Sequence, residues 1–285
     1  MKVGVTIPAY ELATGRARSF EEMVADAVAA EGFGYDSVWV MDHFFIERGE
    51  RRVLGGPEPL AFLNHVATVT ERIELGTLVL CAPFRAPAQL AREARTLETA
   101  SAGRFILGIG AGWHQPEFDA FGFPFDHLVS RLEEYLETLV PLLRDRAVFG
   151  DPAPLPWIAA GGPRMLRLTG RLAGGWNGAW YGPDPSLFGE RLAAVEAALR
   201  LAGRERSELT ASAGLFVLPG AEEQPSAIAG SPERIVEALG RYREAGCDHA
   251  VLNFSASPFG QGDAGLPGVL APFLDRLRGA RTEPR

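Results

Sequence analysis

The chain has 285 residues, 47% of them hydrophobic, and a formal net charge of −8. That length is usual for one α/β barrel, and the apolar fraction supplies a large core. The acidic balance argues against a nucleic-acid partner, and no apolar run reaches the roughly 18 residues that cross a membrane. The first residues, Met1 to Val5, form a strand-like segment with no basic, apolar leader, so a soluble cytoplasmic protein without a signal peptide is expected. Short β-rich runs then alternate with amphipathic helical stretches. A strand over 3–8 leads to a helix over 20–31, in which Met23, Val24, Ala27 and Val28 recur at helical spacing and which Gly32 and Gly34 close. The next units pair a strand over 37–41 with a helix over 59–70, a strand over 73–80 with a helix over 88–101, and a strand over 105–109 with a helix over 129–143. Four strands follow over 157–160, 175–179, 211–218 and 249–253, with helices over 164–172, 187–202, 232–245 and 269–278.

The strands are near-continuously apolar, as strands buried on both faces must be. Eight β-then-α units without a linker between halves predict an α/β fold, a single (β/α)8 TIM barrel over 1–281, with 282–285 a loose tail. Several chemistries drop out. Lys2 is the only lysine, which leaves no buried amine for a Schiff base and no G-K-[ST] of a Walker loop. Cys81 and Cys247 make neither a disulfide framework nor a zinc site. His43, His65, His114, His127 and His249 show no metal-binding spacing, so no metal is expected, and no G-x-S-x-G elbow is present.

In such a barrel the chemistry sits in the loops that follow the strands. Asp42 and His43 follow the second strand; a histidine there can exchange a proton near neutral pH, or the two can simply fix a loop. After the third strand, the residues Cys81 to Pro87 read as a loop that starts a helix. Gly108, Gly110 and Gly112 fall short of a dinucleotide fingerprint because Trp113 stands where the last glycine belongs. They let a flat ring lie against the backbone, or they serve tight packing. Gly161, Gly162 and Pro163 open a helix, where free amides and the dipole favour a phosphate and Arg164 adds charge; the plain alternative is an ordinary helix start. Trp176, Trp180 and Tyr181 either wall a planar ligand or pack the barrel.

Together the strings EGFGYDSVWVMDHF, ERIELGTLVL, ASAGRFILGIGAGWHQPEFDAFGFPF, IAAGGPRMLRLTGRLAGGWN and GSPERIVEALGRYREAGCDHAVLNF resemble the luciferase-like monooxygenase superfamily, and within it the F420-dependent oxidoreductases. The resemblance runs from Met1 to about Phe254. It implies a deazaflavin or flavin ring over the barrel mouth, with Asp42 and His43 at its reactive edge and Leu78–Val79 as a supporting bulge that often holds a cis peptide. It also implies that Ala111, Gly112 and Trp113 line the cofactor, and that Gly161, Gly162 and Pro163 take its phosphate. Two departures stand out. Trp113 occupies a position where some relatives carry an acid, and the stretch 143–156 is short where many have a wall over the site.

The expected function is hydride transfer between coenzyme F420 and a small organic substrate, with His43 as the proton donor or acceptor. Phe44, Trp113 and Trp180 are the expected substrate pocket, and Arg48, Arg51 and Arg52 form a basic cluster suited to an oligoglutamyl tail. An FMN-dependent monooxygenase served by a separate flavin reductase is one alternative; a non-catalytic ligand-binding relative is another. A phosphate-binding barrel isomerase fits less well, since its anion loops follow strands seven and eight rather than five. A homodimer is expected by analogy.

Overall fold

Apolar strands buried on both faces need a partner on each edge, and eight parallel strands meet that need by closing on themselves. The computed structural model describes residues 1–10, 16–48, 50–150, 153–255 and 266–279. Lys2–Thr6 pairs on one side with Ser37–Val40, and Ser37–Val40 pairs in turn with Glu74–Thr77. The third strand has two pieces, Glu74–Thr77 and Leu80–Cys81, and so has the fourth, Phe105–Ile106 and Gly108–Gly110. Both pieces pair: Leu75 and Gly76 with Phe105 and Ile106, then Leu80 and Cys81 with Ile109 and Gly110. From Gly108 and Ile109 the ladder continues through Trp157–Ala159, Gly175–Tyr181, Thr210–Pro219 and His249–Asn253 back to Lys2–Thr6. The result is the (β/α)8 barrel that eight alternating units imply.

At the break the Thr77 hydroxyl stands in for ladder bonds: it accepts from the Gly108 N–H at 2.9 Å and donates to the Gly108 carbonyl at 2.8 Å. The peptide bond between the two pieces of the third strand, Leu78–Val79, is cis, and so is Ala179–Trp180 in the sixth.

Two cores hold the barrel. The larger lies between strands and helices; the smaller lies inside, built on Trp39, Leu78, Ile106 and Val251. At the floor the rings of Trp39, Trp157 and His249 sit 5.6 Å apart in each pairing. Glycines give them room: a Cβ on Gly76 would lie 2.3 Å from Trp39, and one on Gly175 would lie 2.3 Å from Trp157.

The helices follow their sequence signals. Ser19 and Glu22 form a capping box at the start of Phe20–Phe33, and Gly34 ends it in the left-handed region at φ 88°. The last expected helix differs: Leu266–Phe273 is a 3₁₀ stretch and only Leu274–Arg278 is α-helical. Pro267 and Pro272 lack the amide hydrogens that an α-helix there would use. An unforeseen antiparallel hairpin, Phe45–Arg48 with Arg51–Leu54, follows the second strand, and a short helix, Gln115–Phe121, follows the fourth. The expected tail, 282–285, lies outside the described residues. Among the described residues no helix is long and apolar enough to cross a membrane.

Candidate active site

A cavity of about 330 Å³ opens at the C-terminal ends of the strands, within the range of roughly 300–1,000 Å³ typical of small-molecule sites. Its wall comes from the loops after strands two, three and four, completed by Ala159, Asn177, Ala179 and Trp180 of strands five and six. Asp42, His43, Leu78, Val79, Gly112, Trp113 and Trp180 all lie in this wall. Ala111 packs against the outer core instead. Phe44 stands at the rim, with its ring centroid 4.9 Å from that of the wall residue Phe84 and 4.4 Å from that of Phe121.

The central polar contact joins His43 to Glu117. Pro116 starts the helix Gln115–Phe121 and Gly122 ends it at φ 74°, which places Glu117 in the first turn, where the helix dipole favours a carboxylate. Glu117 is only 1% exposed. Its Oε2 lies 2.8 Å from His43 Nδ1, and its Oε1 accepts the backbone N–H groups of Phe44 at 2.5 Å and Phe45 at 3.3 Å. A carboxylate on Nδ1 selects the tautomer with the proton there, gives Nε2 the lone pair, and stabilises the imidazolium. The Trp113 ring stands edge-on to the imidazole at 5.7 Å.

Asp42 does different work. Its carboxylate accepts the Cys81 N–H at 2.9 Å and two bonds from the Arg85 guanidinium, at 2.5 and 3.2 Å; Arg85 also reaches Glu58 at 2.6 Å. The residue is thereby tied to the loop just after the cis bond. Burial, reinforced by the charges of Asp42 and Glu117, pushes the Cys81 thiol well above its ordinary range, so it supplies no thiolate nucleophile.

The alternating glycines serve close packing of neighbouring side chains. A Cβ on Gly110 would meet Val79 at 2.9 Å, and one on Gly112, at φ 81°, would meet Phe118 at 2.5 Å and Cys81 at 2.8 Å. Trp180 stacks on Phe216 with centroids 4.8 Å apart and planes 19° from parallel. Two polar atoms of the wall residues are buried without a hydrogen-bond partner among the described residues, His114 Nε2 and Asn177 Nδ2. Leaving a buried donor unsatisfied costs about 1–3 kcal/mol, so such atoms mark where a ligand group or water belongs.

Beyond Ala159 the chain reaches Gly161, Gly162 and Pro163. Gly162 caps the helix Pro163–Leu172 with no side-chain hydrogen bond, so first-turn amides remain for an anion. The charge expected from Arg164 is directed elsewhere: its guanidinium bonds Ser130 at 3.0 Å and Glu133 at 2.8 Å. Arg191 takes the place beside the loop, its Cζ 3.7 Å from where a Gly161 Cβ would stand, and it donates to the Tyr181 hydroxyl at 3.3 Å. Of the expected basic cluster, Arg52 lies over the Phe45 ring at 4.2 Å and 3.9 Å from Glu47.

Sequence reasoning did not single out Glu117, Asn177, His114 or Arg191. Two of them carried a signal. Glu117 is the acid that follows the GAGW string, and Asn177 shares an inward face with Gly175 by the two-residue period of its strand. Among the described residues no group of three or more metal-binding side chains converges.

The model of the family described as "Luciferase-like monooxygenase" matches residues 1–225. The chain is 37% identical over 177 residues to "F420-dependent glucose-6-phosphate dehydrogenase" of Amycolatopsis mediterranei (strain U-32), covering 54% of this chain and 52% of that one. It is 33% identical over 231 residues to the protein of the same name from Kineococcus radiotolerans, covering 73% and 65%. The matched stretch thus spans about half to two thirds of these relatives. A solved structure described as "F420-dependent secondary alcohol dehydrogenase in complex with an F420-acetone adduct" superposes with a TM-score of 0.79 at 18% identity, over 98% of this chain and 99% of that one, a likeness of fold.

Proposed function

The chain belongs to the luciferase-like monooxygenase family, and from that premise we propose that it is an oxidoreductase exchanging a hydride between coenzyme F420 and an alcohol or carbonyl carbon of a small organic substrate. The observation that carries this reading is the buried Glu117–His43 pair at the edge of a mostly apolar cavity. The names of the similar relatives support the choice of cofactor.

The residues present fit such a group in two ways. Asn177 Nδ2 and His114 Nε2 lack partners that a heterocycle or substrate oxygen would supply. Gly161, Gly162 and Pro163, with Arg191 beside them, form a cradle for a phosphate. Leu78, Val79, Gly112 and Trp113 would hold the ring. When bound, the deazaflavin supplies the carbon that exchanges a hydride.

The protein supplies the rest. His43 Nε2 takes the hydroxyl proton of an alcohol undergoing oxidation, or gives one to the oxygen of a carbonyl undergoing reduction. Glu117 stabilises the imidazolium and fixes its orientation. Asp42, held by Arg85, positions the loop that carries His43 and the start of the next wall segment. Trp113 and Trp180 narrow the mouth and exclude water from the reacting atoms.

Titration of the apoprotein with F420 and, separately, with FMN, followed by fluorescence, tests the reading. Saturable binding of F420 with little for FMN is the expected result. Saturable FMN binding alone would replace the deazaflavin with a flavin and call for a separate reductase. Binding of neither would overturn the reading in favour of a non-catalytic relative.

A further inference from the structure

We propose that the substrate is an uncharged, largely apolar molecule, a ketone or secondary alcohol borne on a hydrophobic body, and that the site turns away phosphorylated sugars. This rests on the hydride-transfer reading and narrows its substrate class. In the oxidation direction His43 would take the hydroxyl proton as the C=O bond forms, and the carbinol hydrogen would leave with its electron pair to the hydride acceptor that a bound deazaflavin would supply.

The first observation is one of charge. Among the described residues the cavity wall contains no lysine and no arginine. The segments outside the described residues contain no lysine, and arginine only at Arg281 and Arg285 near the end of the sequence. Arg85, which reaches the wall, is paired with Asp42 and Glu58. Arg191 is beside the Gly161 loop, where the cofactor phosphate is assigned. A phosphate is bound through charge-assisted hydrogen bonds, and burying one without them is strongly unfavourable.

The second observation is one of shape and polarity. From the wall residue Phe84 an aromatic path runs outward through Phe44 to Phe121. At its outer end Phe44 is 44% exposed and Phe121 50%, while Trp113 on the same rim is 59% exposed. Contiguous exposed rings that lead into a cavity are a binding surface rather than scattered surface residues. They would cover the body of a substrate whose oxygen-bearing carbon sits inside, beside His43.

The test uses the F420-loaded protein. Ligand-observed NMR measures binding of benzylacetone, acetone and glucose 6-phosphate, and turnover is followed in parallel. We expect saturable binding of benzylacetone and none of glucose 6-phosphate. In a Phe44→Ser/Phe121→Ser double variant, benzylacetone should bind about tenfold more weakly through lost apolar contact, while acetone, too short to reach the rim, changes less than twofold. Glucose 6-phosphate binding as tightly as benzylacetone, with F420 binding intact, overturns this inference alone. So does benzylacetone binding that is unchanged in the double variant, whether or not that variant loses a dimer seen for the wild type by light scattering; loss of the dimer would assign the rim to an interface between copies. Failure of the wild type to bind F420 overturns the underlying reading instead, and this one with it.

Discussion

Glu117 Oε2 lies 2.8 Å from His43 Nδ1 across 74 residues of sequence, and the same carboxylate takes the backbone N–H groups of the two residues that follow His43. The arrangement orients the imidazole, and in the proposed reaction Nε2 exchanges the proton. Replacing the ring by His43→Asn should lower kcat about 10²–10⁴-fold, the usual contribution of a positioned acid or base, while F420 affinity changes less than about threefold. Glu117→Gln keeps the shape and removes the charge. It should lower kcat at least about tenfold, since the imidazolium loses its counter-charge. Steady-state kinetics beside a fluorescence titration checks both. Equal loss of turnover and cofactor binding in His43→Asn would remove His43 from the chemistry.

The two arginines near the phosphate loop separate cleanly. Arg164 stands in the sequence next to the glycines but is bound to Glu133 and Ser130; Arg191 is 27 positions further on, yet its guanidinium is beside Gly161. Arg191→Gln should therefore weaken F420 binding about tenfold and flatten its salt dependence, whereas Arg164→Gln should leave both within about twofold. Titrations at low and high salt decide the matter. A larger loss in the Arg164 variant would return the phosphate charge to the residue the sequence suggests.

Asn177 offers a test in which stability and affinity move in opposite senses. Its Nδ2 is buried without a partner, while its Oδ1 accepts from Ser212, whose hydroxyl also reaches the Trp176 carbonyl at 3.1 Å. Asn177→Leu removes an unsatisfied donor and leaves Ser212 an alternative acceptor. The apoprotein should keep or slightly raise its melting temperature, while affinity for F420 falls about tenfold if the cofactor supplies the missing acceptor. A purely structural asparagine would show lower stability and unchanged affinity in the same pair of measurements.

The barrel was legible because apolar runs and helical periodicity repeat eight times, and each expected strand has a counterpart in the closed sheet. The mouth was less so. Asp42, His43, Gly112 and Trp113 sit together because strand ends in a barrel converge, which order along the chain reveals. The partners that give them meaning come from elsewhere. Glu117 lies on a seven-residue helix too short to show a period, Arg85 reaches Asp42 from 43 residues away, and Arg191 projects back from the face of a long helix. Local pattern encodes which backbone segment ends at the mouth; which long side chain turns toward it depends on packing between segments. The hairpin Phe45–Leu54 is hard to read for a related reason: its strands carry Glu47, Arg48, Arg51 and Arg52, and only a small core, Ile46 and Val53 with Tyr10, lies against it.

The barrel floor adds a pH dependence distinct from catalysis. His249 is 1% exposed, its Nε2 lies 2.7 Å from the Ser37 hydroxyl, and that hydroxyl also accepts from the Trp39 indole at 2.7 Å. A neutral imidazole meets this arrangement by accepting from Ser37. Burial first, then the positive charges of Lys2 and the N-terminal amine, pushes His249 down from its ordinary 6.5 to about 3. Between those values the unfolded chain binds a proton that the folded barrel refuses. Stability is therefore intact above about pH 6.5 and declines as the pH falls from there toward 3, with a slope from this one group of up to about 1.4 kcal/mol per pH unit. Urea unfolding at about pH 7, 6 and 5 measures that slope. His249→Gln keeps a hydrogen-bonding group near Ser37 but cannot titrate, so whatever its stability at neutral pH, its decline across the window should be shallower by the contribution of one proton. Parallel slopes in the two proteins would show that the imidazole takes up its proton inside the folded barrel and that its burial carries no such penalty.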